Sequence, residues 1–242
     1  MTVPTSVRIP NFTPSVNGLH FPNSFPHEPD LEISIPIIGK VPVGDASNGV
    51  CGGMVYTVRD VFQTKGMAPI AATEPPAPDS ALFGYIVDRL IDSFQLPFGV
   101  LQYYEWMLHP DGDQEWTSLI KRRGLAWKTI KEEWPRHIRP ALKAGRLCCL
   151  GLITMATADP RQLGNNHQVM AYGYDLDADD TLTLHVYDPN TSPAQADNVY
   201  IKLSLKDPEH AARIEHNVAI AHPIRGFFRV KYHYRNPKAR LG

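Results

Sequence analysis

The chain has few cysteines and no excess of charge of either sign. Only Cys51, Cys148 and Cys149 occur among its 242 residues, and an odd number with two of them adjacent does not resemble a disulfide framework. The formal net charge is -1, and the scattered Lys and Arg residues form no basic patch of the kind that binds nucleic acid or an anionic membrane. The sequence therefore predicts a protein of a reducing compartment that has neither nucleic acid nor a membrane as a partner.

Long apolar runs are also missing from the sequence. No stretch reaches the roughly 20 apolar residues of a membrane-spanning helix, and the N-terminus lacks a charged region followed by an apolar run. We therefore expect a soluble, cytoplasmic protein, with export by an unrecognised signal as the alternative. The histidines show no paired metal-ligand spacing, so we predict neither a metal site nor a cofactor.

The distribution of Pro, Asn and Ser divides the chain into an arm and one domain. Residues 1–47 are rich in these residues and have few periodic runs, which predicts an extended arm over the surface of a domain at 48–242. Apolar spacing of three and four residues predicts helices from Cys51 to about Gly66, from Asp79 as cap, and within 99–109, 114–122 and 127–144. Strands are predicted at 147–155 and at about 166–174, 181–188, 198–205 and 226–234. Helices before strands favour an α+β fold, with a helical lobe at about 48–145 and a β lobe at about 146–242.

Cys51 is the strongest candidate for a nucleophile. It lies where a loop of small residues runs directly into a helical pattern, between Val50 and the pair Gly52-Gly53. A helix N-terminus and a nearby imidazolium are two surroundings that lower a thiol pKa and make the cysteine reactive. The alternative is a small buried core residue, which is the commoner role of a cysteine on an apolar helix.

A histidine and an aspartate are expected at the open end of one hairpin. His167 begins a strand-like run, the turn at 175–180 reverses the chain, and Asp188 closes the next run. Their side chains meet if both face the same side of the antiparallel pair. Asp188 would then hold one imidazole nitrogen as a donor and leave the other facing the thiol, as the third member of a catalytic triad does. Asn190 is the alternative orienting residue, because an amide oxygen also accepts that hydrogen bond.

The order of these motifs resembles the papain-like cysteine peptidase superfamily. In that superfamily a cysteine opens a helix in the first half, and a histidine followed by Asp or Asn comes from a later sheet. The strand that begins at His167 and the strand that ends in Asp188-Pro189 resemble the corresponding strands of bacteriocin-processing and related bacterial peptidase-like proteins most closely. The resemblance covers about residues 45–190 and implies a papain-like fold, with the cysteine helix in a helical first half and an antiparallel β-sheet in the second.

The sequence departs from this pattern at the oxyanion site. Such enzymes place a Gln several residues before the cysteine, where its amide helps the cysteine backbone N–H bind the oxyanion. Asp45 occupies that place here and would repel an anion. The resemblance makes Asn48 the substitute oxyanion donor, with Asn165 and Asn166 as weaker candidates.

Taken together, the motifs predict a thiol-dependent hydrolase. Cys51 would form an acyl-enzyme with a peptide, isopeptide or other amide, in a peptide, a protein or a small molecule, and His167 would act as the base. Two alternatives stay open: an acyltransferase of transglutaminase-like type, which needs the same three groups, and an inactive papain-fold binding or structural module, for which Asp45 is the argument.

Overall fold

An antiparallel sheet, built mainly by the second half of the chain, organises the fold. The computed structural model describes residues 3–21, 31–35, 39–43, 50–96, 98–117 and 120–242. The strands are β1 Thr5–Arg8, β2 Leu31–Ile35, β3 Gly39–Val43, β4 Gln114–Thr117, β5 Ile120–Arg122, β6 Cys148–Ile153, β7 His167–Leu176, β8 Thr181–Tyr187, β9 Tyr200–Ser204, β10 Glu215–His216 and β11 Gly226–Arg229. The main sheet has the order β10-β9-β8-β7-β6-β11, and β1 joins it by pairing with β7.

Most helices precede this sheet in the chain. They are α1 Pro14–Asn17, α2 Cys51–Gln63, α3 Ala81–Phe94, α4 Phe98–Met107, α5 Leu125–Trp127, a π-helical stretch Lys128–Ile138, α6 Arg139–Lys143 and α7 Lys238–Leu241, with 3-10 helices at Pro160–Asn165 and Ala196–Asn198. The prediction of an α+β fold, with helices first and an antiparallel sheet second, is confirmed. The cap of α3 is Ser80, whose hydroxyl accepts from the Phe83 N–H, rather than the predicted Asp79.

The helix predicted within 114–122 is wrong, because this segment forms the β4–β5 hairpin. Asp113 closes the base of the hairpin: its carboxylate accepts from the Gly124 N–H at 2.8 Å and pairs with the Arg123 guanidinium at 2.5 Å. These contacts join residues on either side of the turn, so helical spacing within the segment could not reveal them. The last predicted strand, 226–234, is also shorter in the structure and ends at Arg229.

The strand β7 lies at the centre of the sheet. Its first half pairs with β6, its second half with β1, and its other edge with β8. Buried residues occupy nearly its whole length, as expected for a strand covered on both faces. The helix α2 packs against both β7 and α3. The first turn of α2 is therefore held close to the first residues of β7.

The described part of the N-terminal segment contributes to the core as well as to the sheet edge. Beyond β1, Ile9, Phe12, Leu19 and Phe21 are buried. The Tyr187 hydroxyl donates to the Leu19 carbonyl at 2.9 Å and accepts from the Leu19 N–H at 3.0 Å. Within the described ranges, no helix is long and apolar enough to cross a membrane.

Candidate active site

Cys51 is the first residue of α2, and its side chain is 8% exposed. The first intrahelical hydrogen bond runs from the Met54 N–H to the Val50 carbonyl at 3.0 Å, so the N–H groups before Met54 have no acceptor within the helix. Val50, at the N-cap position, has an apolar side chain that cannot accept from them. The partial positive charge of this helix end is therefore directed at Cys51, where it favours an anion.

The two glycines after Cys51 allow α2 to pack closely against its neighbours. A Cβ on Gly53 would lie 2.2 Å from the Ile86 carbonyl oxygen of α3, a contact with backbone that cannot move aside. A Cβ on Gly52 would lie 2.4 Å from Ser93 Oγ and 2.9 Å from Gln168 Oε1. The glycines that mark Cys51 in the sequence thus have a packing role, and they bring the start of α2 against β7 and α3.

The thiol of Cys51 lies next to the imidazole of His167, close enough for each group to shift the pKa of the other. Burial by itself raises the pKa of Cys51, but the charge and hydrogen bond of His167, with the backbone N–H groups of Gln168 and Gly52, lower that pKa below its ordinary value. Burial opposes protonation of His167, yet the Cys51 thiolate and the Asp188 carboxylate raise the pKa of His167 to about 10. Both shifts favour the Cys51 thiolate and the His167 imidazolium over the neutral thiol and imidazole.

Asp188 fixes the orientation of the His167 ring. The carboxylate is fully buried, and its Oδ1 lies 2.8 Å from His167 Nε2. It also accepts from the Asn190 N–H at 3.0 Å, the Ala219 N–H at 2.8 Å and the Thr191 hydroxyl at 3.2 Å. Burial alone would raise the pKa of Asp188, but His167 and these N–H groups lower it. Because Asp188 occupies Nε2, Nδ1 is the ring nitrogen left for the thiol.

A bulge in β7 brings the aspartate onto the histidine's face of the sheet. Tyr172 forms this bulge, because its two neighbours pair with adjacent residues of β8. Between the turn and the bulge, Gly173 pairs with His185, and this register, if it continued, would place Asp188 opposite Met170, on the other face from His167. Beyond the bulge, Ala171 pairs with Val186, and this register places Asp188 opposite Val169, on the same face as His167. The proximity that the hairpin pattern predicted thus depends on one extra residue.

Of the other candidates from the sequence, Asn190 and Asn166 do not join this group. Asn190 is exposed, and its side-chain amide donates to the Ala219 carbonyl at 3.3 Å, so Asp188 is the residue on the imidazole. Asn48 and Asp45 lie outside the described residues. The Asn166 amide is buried and holds its own loop, accepting from the Thr154 N–H at 3.1 Å and donating to the Leu163 carbonyl at 3.0 Å.

The remaining cysteines are buried in β6, which lies within the strand predicted at 147–155. Cys148 and Cys149 are at most 1% exposed. Burial and the neighbouring Cys149 raise the pKa of Cys148 to about 12. Burial likewise raises the pKa of Cys149, although the Arg59 guanidinium lies 3.6 Å from its sulfur. Neither is a nucleophile near neutral pH.

A narrow pocket opens beside Cys51. Its cavity volume is about 30 Å³, and it is partly open to solvent. Its apolar walls are Leu90, Phe94 and Leu163, and its polar side chains are Cys51, Tyr103, Asn166 and Gln168. Sequence reasoning missed Tyr103 and Gln168. The available signal was Gln168 itself, because an amide in an otherwise apolar central strand needs a hydrogen-bonding reason to be buried.

Comparisons with protein-family models, curated proteins and solved structures found no match. Among the described residues, no three His, Cys, Asp or Glu side chains form a group that could hold a metal ion. The chemistry open to the site is therefore that of Cys51, His167 and Asp188.

Proposed function

We propose that this protein is a papain-like thiol hydrolase that cleaves an amide bond through an acyl-enzyme on Cys51. The observation that carries the proposal is the contact of His167 Nε2 with Asp188 Oδ1 at 2.8 Å, on a ring that lies next to the Cys51 thiol. Nucleophile, base and orienting carboxylate are the three parts that thiol acyl transfer requires. The thiol stands at the start of a helix, and its two partners come from an antiparallel sheet, which is the arrangement that the papain-like resemblance implies.

The reaction begins with attack by the Cys51 thiolate on the carbonyl carbon. The new C–S bond pushes the carbonyl electron pair onto oxygen, and collapse of this intermediate breaks the C–N bond. The His167 imidazolium, through Nδ1–H, gives its proton to the departing amine. The neutral imidazole then takes a proton from water as the water attacks the thioester, and cleavage of the C–S bond restores the thiolate and imidazolium.

The start of α2 supplies oxyanion stabilisation in this scheme. The Cys51 N–H has no acceptor within α2, so it is free to donate to the oxygen of the tetrahedral intermediate. The positive end of the helix adds to this stabilisation. The same N-terminal turn favours the thiolate, since the backbone of Gly52 lowers the pKa of Cys51.

A panel of short acylated peptides carrying a C-terminal aminocoumarin tests the proposal. Release of the fluorescent amine is expected from the wild-type protein, with a fall of about 10⁶-fold in kcat for Cys51→Ala. Cys148→Ala is the matched control, because its thiol lies in β6 and has a raised pKa. Mass spectrometry should identify the free acid as the other product, whereas a transferase gives an amide with an added primary amine. Turnover that survives Cys51→Ala contradicts the proposal.

A further inference from the structure

Two buried polar atoms beside Cys51 are without partners. Gln168 is 4% exposed and Tyr103 is 4% exposed, and both line the narrow pocket. Gln168 Oε1 and the Tyr103 hydroxyl have no hydrogen-bond partner among the described residues. Burial of a polar group without a partner is unfavourable, so two such groups in one pocket next to a nucleophile indicate a ligand that satisfies them.

Ser93 determines which end of the Gln168 amide faces the pocket. The Ser93 hydroxyl donates its proton to the Leu90 carbonyl at 2.8 Å, so Ser93 Oγ can only accept from Gln168. Gln168 Nε2 therefore points towards Ser93, at 3.4 Å. The carbonyl end, Oε1, faces the Gly52 side of the pocket, where a Cβ on Gly52 would lie 2.9 Å from it. The pocket thus presents a fixed acceptor.

Tyr103 presents a proton to the same pocket. Burial and the neighbouring Cys51 thiolate raise the pKa of Tyr103, so its hydroxyl stays protonated. The hydroxyl and the Gln168 carboxamide line the same pocket. A group that enters between them meets an acceptor and a donor at once.

The remaining lining excludes a charged occupant. The described side chains around the pocket include no Asp, Glu, Lys or Arg, and the walls Leu90, Phe94 and Leu163 are apolar. A carboxylate would lose its hydration there and lie next to the Cys51 thiolate, and an ammonium group would lose its hydration and pair with the nucleophile itself. A neutral group with one N–H and one carbonyl satisfies both orphan atoms and costs the least to bury.

We propose that this pocket binds a neutral amide of the substrate next to the reacting carbon, with the amide N–H donating to Gln168 Oε1 and the amide carbonyl accepting from Tyr103. Gln168 and Tyr103 are then specificity-determining residues. This inference rests on the proposed function, because it takes Cys51 as the reacting group. The amide has two sources, a side-chain carboxamide or the peptide group that precedes the scissile bond.

Small alkylating probes test this inference without a known substrate. Iodoacetamide and iodoacetone are neutral and have nearly the same shape, but only iodoacetamide carries N–H groups. The rates of modification of Cys51 are measured for both reagents, and their ratio is divided by the ratio for the glutathione thiolate. This normalised preference for iodoacetamide is expected to be about tenfold in the wild-type protein.

Variants and two further reagents assign the preference to specific atoms. Gln168→Met keeps the length of the side chain but removes the acceptor, so the preference should fall to about onefold. The exposed Gln195 provides the matched control, Gln195→Met, which should keep the tenfold value. N,N-dimethyl iodoacetamide has no N–H and should behave like iodoacetone. With N-methyl iodoacetamide, a high rate assigns the peptide group and a low rate assigns the primary carboxamide.

The outcomes separate this inference from the proposed function. Fast modification of Cys51 by both main reagents, with a normalised preference near onefold, overturns the amide pocket and leaves the reactive thiol intact. A Cys51 that reacts no faster than glutathione with any reagent overturns both. Should Gln168→Met fail to fold, Ser93→Ala provides the second test, because loss of the Ser93 acceptor frees the amide to rotate and should lower the preference.

Discussion

Asp188 Oδ1 lies 2.8 Å from His167 Nε2, with the carboxylate fully buried and the imidazole almost so. This contact joins the end of one strand to the beginning of its neighbour. It fixes the ring so that Nδ1 is left for Cys51, and it supplies the negative charge that favours the imidazolium. The account of the site depends on this pair for both geometry and charge.

Removal of the carboxylate should destabilise the protein as well as the site. Asp188→Ala leaves the His167 ring and two backbone N–H groups without their acceptor, so we expect a loss of about 3–5 kcal/mol in the free energy of unfolding. Urea denaturation followed by far-UV circular dichroism measures this loss. Asp179→Ala, at the fully exposed hairpin turn, is the matched control and should change stability little. Equal losses in the free energy of unfolding for the two substitutions would contradict the stabilising role of the buried pair.

Asp188→Asn keeps the shape of the side chain and tests its charge. The pKa of His167 is raised in the folded protein, so its pairing contributes fully below the unfolded pKa of about 6.5 and is lost as pH rises through about 10. The lowered pKa of Asp188 means that the pair is kept down to pH values below about 4. The stability difference between wild type and Asp188→Asn should therefore be largest at about pH 5–6.5 and shrink towards pH 10. A difference that grows with pH over this range would contradict the assigned charges.

Gly53→Ala should be destabilising despite the better helix propensity of alanine. Its Cβ would lie 2.2 Å from the Ile86 carbonyl oxygen, so α2 and α3 must separate, at a cost of about 1–3 kcal/mol. Gly84→Ala, within α3, is the matched control, because its Cβ meets only the flexible guanidinium end of Arg240. There the propensity gain of up to about 1 kcal/mol should be retained in part. Thermal unfolding of both variants decides the matter, and a stable Gly53→Ala would mean that the helix contact is looser than the structure shows.

The sequence revealed the parts of the site that depend on local patterns. The three- and four-residue spacing after Cys51 predicts α2, and the turn at 175–180 predicts the β7–β8 hairpin that carries His167 and Asp188. The Tyr172 bulge could not be predicted, because nothing in the alternation of side chains marks an extra residue within a strand that is buried on both faces.

Features that depend on contacts between residues far apart in the chain also could not be predicted from the sequence. Gln168 and Tyr103 share a pocket only because α4 and β7 both lie near the start of α2. The sequence pattern alone predicts a helix at the β4–β5 hairpin, because the contacts of Asp113 across the base of the hairpin are not visible in helical spacing. The choice between Asp188 and Asn190 needed the hydrogen-bond geometry, since either side chain can accept from an imidazole.

Loss of the histidine should make Cys51 less reactive than an ordinary cysteine. Without the imidazolium, burial is the main remaining influence and raises the pKa of the thiol. An ordinary cysteine is only a few per cent thiolate at pH 7, so His167→Ala should slow alkylation at that pH by about thirtyfold or more. His185→Ala is the matched control, because this histidine lies in β8 and pairs with Asp175 instead. An equal fall in both variants would point to a general disturbance of the hairpin.

The most direct test of the central claim is the rate of Cys51 alkylation by iodoacetamide as a function of pH, with the modified residue identified by peptide mass mapping. The account predicts rapid modification of Cys51 at about pH 6 in the wild-type protein, with a further change near pH 10 as His167 loses its proton. It also predicts that His167→Ala removes the reaction at low pH. A wild-type profile that rises only above about pH 8.5 and is unchanged in His167→Ala would contradict the thiolate and imidazolium pair.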